Sequence, residues 1–232
     1  MWIENTNRLC AGFRHPTARV RYGASAIWCG GSDSDRGEPV PKTVIVIRHA
    51  EKPIGDAPPH GVTADGATDA ESLTPRGWQR ASAIVAFFVG ADGGPGSSGL
   101  PVPTHLFASQ VGPHSSSRRP LETLQPLADR LGLLVDTSFP KQAIGSLAEA
   151  IVATEGPALV SWEHHLIPSL AATLLGQPSL VPTIWPDDRF DVAWVFEPEA
   201  AGTGLRFRQV PERLLPGDSS APIVDAEPAS RP

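Results

Sequence analysis

Lysine is scarce in this 232-residue chain: Lys42, Lys52 and Lys141 are the only ones, and arginine carries the rest of the positive charge. The formal net charge is −6, which excludes the broad basic field with which proteins hold nucleic acid. Cysteine is nearly absent. Cys10 and Cys29 make neither a disulfide framework nor a zinc site by themselves, and they read as idle thiols. No stretch approaches the ~18 consecutive apolar residues of a membrane span. The first thirty residues carry several arginines and lack the apolar region of a secretory signal. The expectation is a cytoplasmic protein with no nucleic-acid or membrane partner.

What is present is one domain's worth of alternating strand and helix patterns, between two segments of loop-like composition. Residues 1–41 show no sustained periodicity and end in "GGSDSDRGEPVP", and residues 216–232 are rich in Pro, Ser and Asp; both are expected to be loose, leaving 42–215 as the folded domain. Within it, "TVIVI" (43–47), "THLFAS" (104–109) and "PALVSW" (157–162) are short apolar runs of the kind that form strands buried on both faces. Trp78, Ala81, Val85 and Phe88 recur as a helical stripe. Leu124, Leu127, Ala128 and Leu131 form another, with Gly132 as its stop. Ser146 and Glu149 have capping-box spacing, a further helix runs through "PSLAATLLG", and "RFDVAWVFE" with "GLRFRQV" reads as a hairpin. The expected fold is α/β: a three-layer α/β/α sandwich around a mostly parallel sheet, edged by the hairpin.

In such folds ligands sit beyond the carboxyl ends of the strands, and the charged residues of this chain cluster there. Arg48 and His49 follow the first strand, Ser109 to Arg119 the second, and Glu163, His164 and His165 the third. Arginine's planar fork suits the oxygens of a phosphoryl group. A neutral imidazole is a competent nucleophile toward phosphorus, giving a phosphohistidine that water then hydrolyses. Neighbouring guanidinium groups disfavour imidazolium and so hold such a histidine in its reactive form. His60, His105 and His114 have no comparable setting and read as background.

Four blocks in order carry a resemblance: "VIRHAEKP", "LTPRGWQRA" (73–81), "SSSRRPLETLQPLADRLGL" (115–133) and "ALVSWEHHLIPSLAATLLG" (158–176). Together they resemble the histidine phosphatase superfamily, the group that includes cofactor-dependent phosphoglycerate mutases. The resemblance spans about Thr43 to Gly176 and implies a phosphoglycerate mutase-like fold. It implies a phosphomonoesterase working without metal or other cofactor on a small phosphorylated molecule or a phosphoprotein. His49 matches the nucleophile and Arg48 the first phosphate-binding arginine. Counting back four residues from Thr123 picks Arg119 over Arg118. The step to Ile167–Pro168 picks His164 over His165.

The proton donor does not carry over. Where mutase-like relatives place a glutamate this chain reads "FPKQAIG" (139–145), and where acid phosphatases place an aspartate it has His165. Glu163, beside the expected pocket, is the first candidate acid and Glu51 the second. Two other functions stay open at this point: a mutase-like phosphotransferase, and a phosphate-binding module without turnover. Trp162, Trp185 and Trp194 are read as packing residues rather than substrate contacts.

Overall fold

The computed structural model describes residues 42–112, 115–200 and 204–225; Cys10, Cys29, His114 and the whole 1–41 segment lie outside them. The chain order is β1 (Val44–Arg48), α1 (Pro75–Phe88), β2 (His105–Ala108), α2 (Arg119–Leu131), β3 (Val135–Asp136), α3 (Ile144–Ala153), β4 (Ala158–Trp162), α4 (Ile167–Leu175), β5 (Val192–Pro198) and β6 (Leu205–Pro211), with a short 3-10 turn at Pro178–Leu180. One six-stranded sheet has the order β3-β2-β4-β1-β5-β6. Its β3-β2, β2-β4 and β4-β1 pairings are parallel, whereas β5 runs antiparallel to both β1 and β6.

The period-2 geometry of a strand sends successive side chains to opposite faces, and β1 shows it directly. Val44 and Val46 pack with α3 and α4 through Leu147, Ile151, Ile167 and Leu170. Ile45 and Ile47 pack with α1 and α2 through Ile84, Phe88, Leu124 and Leu127. Two apolar cores on two faces of one sheet make the α/β/α sandwich, and β1 and β4 are continuous apolar runs because both of their faces are covered. Trp162, Trp185 and Trp194 are fully buried.

Three local expectations need correction, and one strand was not foreseen. The buried stripe of α1 runs through Gly77, Arg80, Ala81, Ile84, Phe87 and Phe88, so Trp78 and Val85 are flanking positions; a charged residue on the inner face disguised the phase. The two-residue strand β3 pairs at the sheet edge through Val135 and Asp136 and is too short for any periodicity to reveal. Helix α3 begins at Ile144 after Ala143, with no side-chain cap, which puts Ser146 inside the first turn rather than at its mouth. Finally, the described part of the 216–232 segment is tied to the domain: Asp218 pairs with Arg80, and Ile223 is buried in the α3/α4-side core.

Candidate active site

Two helices grip the chain just past the end of β1, and their grip explains two of the sequence blocks. Thr74 caps α1, accepting from Gly77 N, while its own backbone N–H donates to Glu51 O at 3.0 Å. A Cβ at position 77 would stand 2.6 Å from Glu51 O, so only glycine lets α1 lie this close. From the other helix, Thr123 Oγ1 accepts from Ala50 N at 2.8 Å and donates to Arg119 O at 2.7 Å. His49 N in turn donates to Trp162 O at 3.1 Å, prolonging the β1-β4 ladder by one residue. The backbone of residues 49–51 is thus fixed from three sides, which is the pre-organisation a reacting side chain needs.

The His49 ring is 4% exposed, and its Nδ1 lies 2.8 Å from Ala50 O. A carbonyl only accepts, so Nδ1 carries the proton and Nε2 keeps its lone pair. Burial lowers the His49 pKa to about 3; Arg48, Arg119 and His164 push in the same direction against the Ala50 hydrogen bond. The imidazole is therefore neutral at physiological pH. Arg48 is anchored beside it: Nη1 donates to the carbonyls of Asp187 (2.7 Å), Arg189 (3.0 Å) and Pro186 (3.2 Å), and the guanidinium sits 3.7 Å from the centre of the Phe190 ring. Burial lowers the Arg48 pKa to about 10, with Asp187, Glu51 and Asp188 opposing, so it stays cationic.

Arg119 opens α2, and its Nη2 donates to Ala70 O and Glu71 Oε2 at 3.1 and 3.2 Å. Arg118 points instead to Asp69, 3.7 Å away, with a side chain 55% exposed. His164 follows β4 and is 2% exposed, with Nε2 2.5 Å from Asp187 Oδ1. Burial lowers the His164 pKa to about 4, helped by Arg48 and His165 and opposed by Asp187. The His165 ring stacks on it with centroids 3.8 Å apart, but its side chain is 65% exposed.

His49, Arg119 and His164 line one cleft of about 430 Å³, together with Lys52, Lys141 and the Ser115–Ser117 run. Two side chains that line it, Arg119 at Nε and His164 at Nδ1, bury a polar atom with no hydrogen-bond partner among the described residues; Arg48, next to His49 but not lining the cleft, leaves Nε and Nη2 in the same state. Unpaired buried polar groups are costly. Those of Arg119 and His164 are the ones an oxyanion in the cleft would satisfy.

The two candidate acids separate. Glu163 lines the cleft and pairs with Lys141 at 3.1 Å. Glu51 does not line it: its carboxylate is held by Arg80 at 2.9 Å and Arg76 at 3.2 Å. The expectation that Glu51 could serve as the acid is corrected by that pairing, since the carboxylate is spent on joining β1 to α1. Sequence reasoning missed Asp187, 23 positions from His164 in an irregular stretch, and did not place Lys52 in the site, although it lines the cleft. The "DD" of "WPDDRF" was its only trace. One donor atom from each of His164, His165 and Asp187 lies within 4.8 Å of the others, the one group among the described residues with spacing for a metal ion.

No protein-family model and no curated protein matches the chain. Solved structures do resemble it. A mycobacterial glucosyl-3-phosphoglycerate phosphatase is 14% identical, with a TM-score of 0.40 over 72% of this chain and 96% of its own. An ecdysone phosphate phosphatase from Bombix mori, bound to tungstate, is 13% identical, with a TM-score of 0.43 over 82% of this chain and 97% of its own. A protein from Agrobacterium tumefaciens assigned as a phosphohistidine phosphatase is 16% identical, with a TM-score of 0.45 over 73% and 96%.

Proposed function

We propose that the protein is a phosphomonoesterase of the histidine phosphatase type, using His49 as nucleophile. The observation that carries this reading is the buried His49 ring, with Nδ1 on Ala50 O, in a cleft where Arg119 and His164 each keep an unpartnered nitrogen atom, while Arg48 beside it keeps two more. A phosphate dianion entering the cleft takes its charge balance from Arg48, Arg119, Lys52 and Lys141. His49 Nε2 attacks phosphorus, forming an N–P bond as the P–O bond to the alcohol breaks. Water then attacks phosphorus, the N–P bond breaks, and inorganic phosphate leaves with neutral His49 restored.

The leaving oxygen needs a proton. Glu51 is locked into its arginine pair, and Glu163 is paired with Lys141. His164 is the better source. Burial and Arg48 keep it neutral, but a bound dianion reverses the local charge while Asp187 already faces Nε2. His164 then holds both protons, presenting Nδ1–H to the phosphoryl group. It gives that proton to the alcohol in the first step and recovers one from water in the second.

The test combines an aryl phosphate assay with trapping of labelled enzyme in a single turnover. His49→Ala is expected to abolish phosphate release and the alkali-stable, acid-labile label. Robust turnover by that variant overturns the proposal, and tight phosphate binding by wild type without any trapped label leaves only a phosphate-binding module. Asp187→Asn is expected to lower kcat/KM by on the order of 10²-fold and to move the alkaline limb of the pH profile downward. An unchanged limb removes His164 as the proton source.

A further inference from the structure

A second cavity of about 720 Å³ adjoins the phosphate cleft, a size suited to a small organic ligand. Two side chains join the spaces. Lys52 lines both cavities. Asp187 lines the second while contacting His164 in the first. Phe190 lines the second cavity, stacks on the Arg48 guanidinium at 3.7 Å, and stands 6.4 Å from the His49 ring that lines the first.

The chemistry of the second cavity differs from that of the first. Ile54, Ala57, Pro58, Pro59 and Phe190 supply apolar walls, and Ile54 is 86% exposed, although nothing in the packing of the domain requires an isoleucine there. Most of its charged residues are already ion-paired: Glu51 and Asp218 hold Arg80, Arg76 joins Glu51, and Asp191 joins Arg189 outside the cavity lining. At the rim, Asp187 and Asp188 outnumber Lys52, so a second anion there meets carboxylates. An apolar, uncharged group meets hydrocarbon.

We propose that this cavity receives the alcohol portion of the substrate, and that the substrates are monophosphate esters of bulky apolar alcohols lacking a second anionic group. The proposal rests on the phosphatase reading, and it argues against a phosphorylated sugar acid, whose carboxylate would face Asp187 and Asp188.

The experiment compares three phosphates of primary alcohols, matched so that leaving-group chemistry does not decide the result: 2-(1-naphthyl)ethyl phosphate, glycerol 3-phosphate and 3-phosphoglycerate. The naphthylethyl ester is expected to lead in kcat/KM by on the order of 50-fold, the effect of withdrawing roughly 100 Å² of apolar surface from water. In Ile54→Asp, a substitution at an exposed position, that ratio is expected to fall at least about tenfold. Equal rates, a lead for 3-phosphoglycerate, or a ratio untouched by Ile54→Asp overturns the proposal while leaving the phosphatase reading intact. Calorimetric titration with 2-(1-naphthyl)ethanol supplies an arm independent of turnover. If no ester is hydrolysed the phosphatase reading fails, and naphthylethanol that does not bind wild type, or binds Ile54→Asp equally well, overturns the cavity assignment by itself.

Discussion

Adjacent residues at one strand end can be assigned opposite electrostatic tasks, as Arg48 and His49 are. Arg48 spends one terminal nitrogen on three loop carbonyls and keeps two other nitrogens free; His49 is kept neutral by the burial that Arg48 withstands. This has a consequence for stability. The His49 pKa is about 3 in the fold against 6.5 for an ordinary histidine, so between these values the unfolded chain binds a proton that the native state excludes. Stability is fully present above about pH 6.5 and falls as the pH drops toward 3. Chemical denaturation across that range is expected to show His49→Gln with a shallower acid slope than wild type, by up to about 1.4 kcal/mol per pH unit. Parallel slopes would mean that the imidazole is not buried neutral. Arg48, His49, Arg119 and His164 were legible in the sequence because each stands within a residue or two of a strand or helix end, where local pattern and spacing locate it. Asp187 was not, because its relation to His164 exists only once the 177–191 stretch folds back over the strand ends.

Helix α1 shows how an element can be legible in extent and wrong in phase. Its span, Pro75–Phe88, covers the helical stripe expected through Trp78, Ala81, Val85 and Phe88, yet the inner face includes Arg80, 2% exposed. Arg80 is the centre of a buried cluster, pairing with Asp218 at 2.7 Å, Glu51 at 2.9 Å and Glu212 at 3.5 Å. Burial raises the Glu212 pKa to about 8 against the pull of Arg80. One guanidinium thereby joins α1 to the end of β1, the residue after β6 and the segment beyond. Removing it strands buried carboxylates, so Arg80→Met is expected to destabilise the fold by about 3–5 kcal/mol, with Arg80→Lys recovering part of the loss. Urea denaturation decides it; a loss below about 1 kcal/mol would place the cluster in a wetter setting than its burial implies.

At the scale of the whole molecule, the segment after β6 completes the domain. Gln209 on β6 clasps Ile223 through both backbone groups, at 2.7 and 2.8 Å, and the Ile223 side chain is 2% exposed beside Trp185 and Trp194. Ile223→Ala is expected to cost about 2–5 kcal/mol, measurable as a lower urea midpoint at unchanged slope; an unaltered midpoint would return this stretch to the loose tail its composition suggests. The sequence by itself determined the alternation of elements, the double burial of β1 and β4, and the placing of His49, Arg119 and His164 at element ends, because period, caps and short-range spacing are local properties of a chain. Only the tertiary structure decided that Glu51 faces Arg80 rather than the cleft, that Asp187 meets His164, and that an apolar cavity lies beside the phosphate site. Each of those depends on which distant segments are packed together, and no local pattern encodes that.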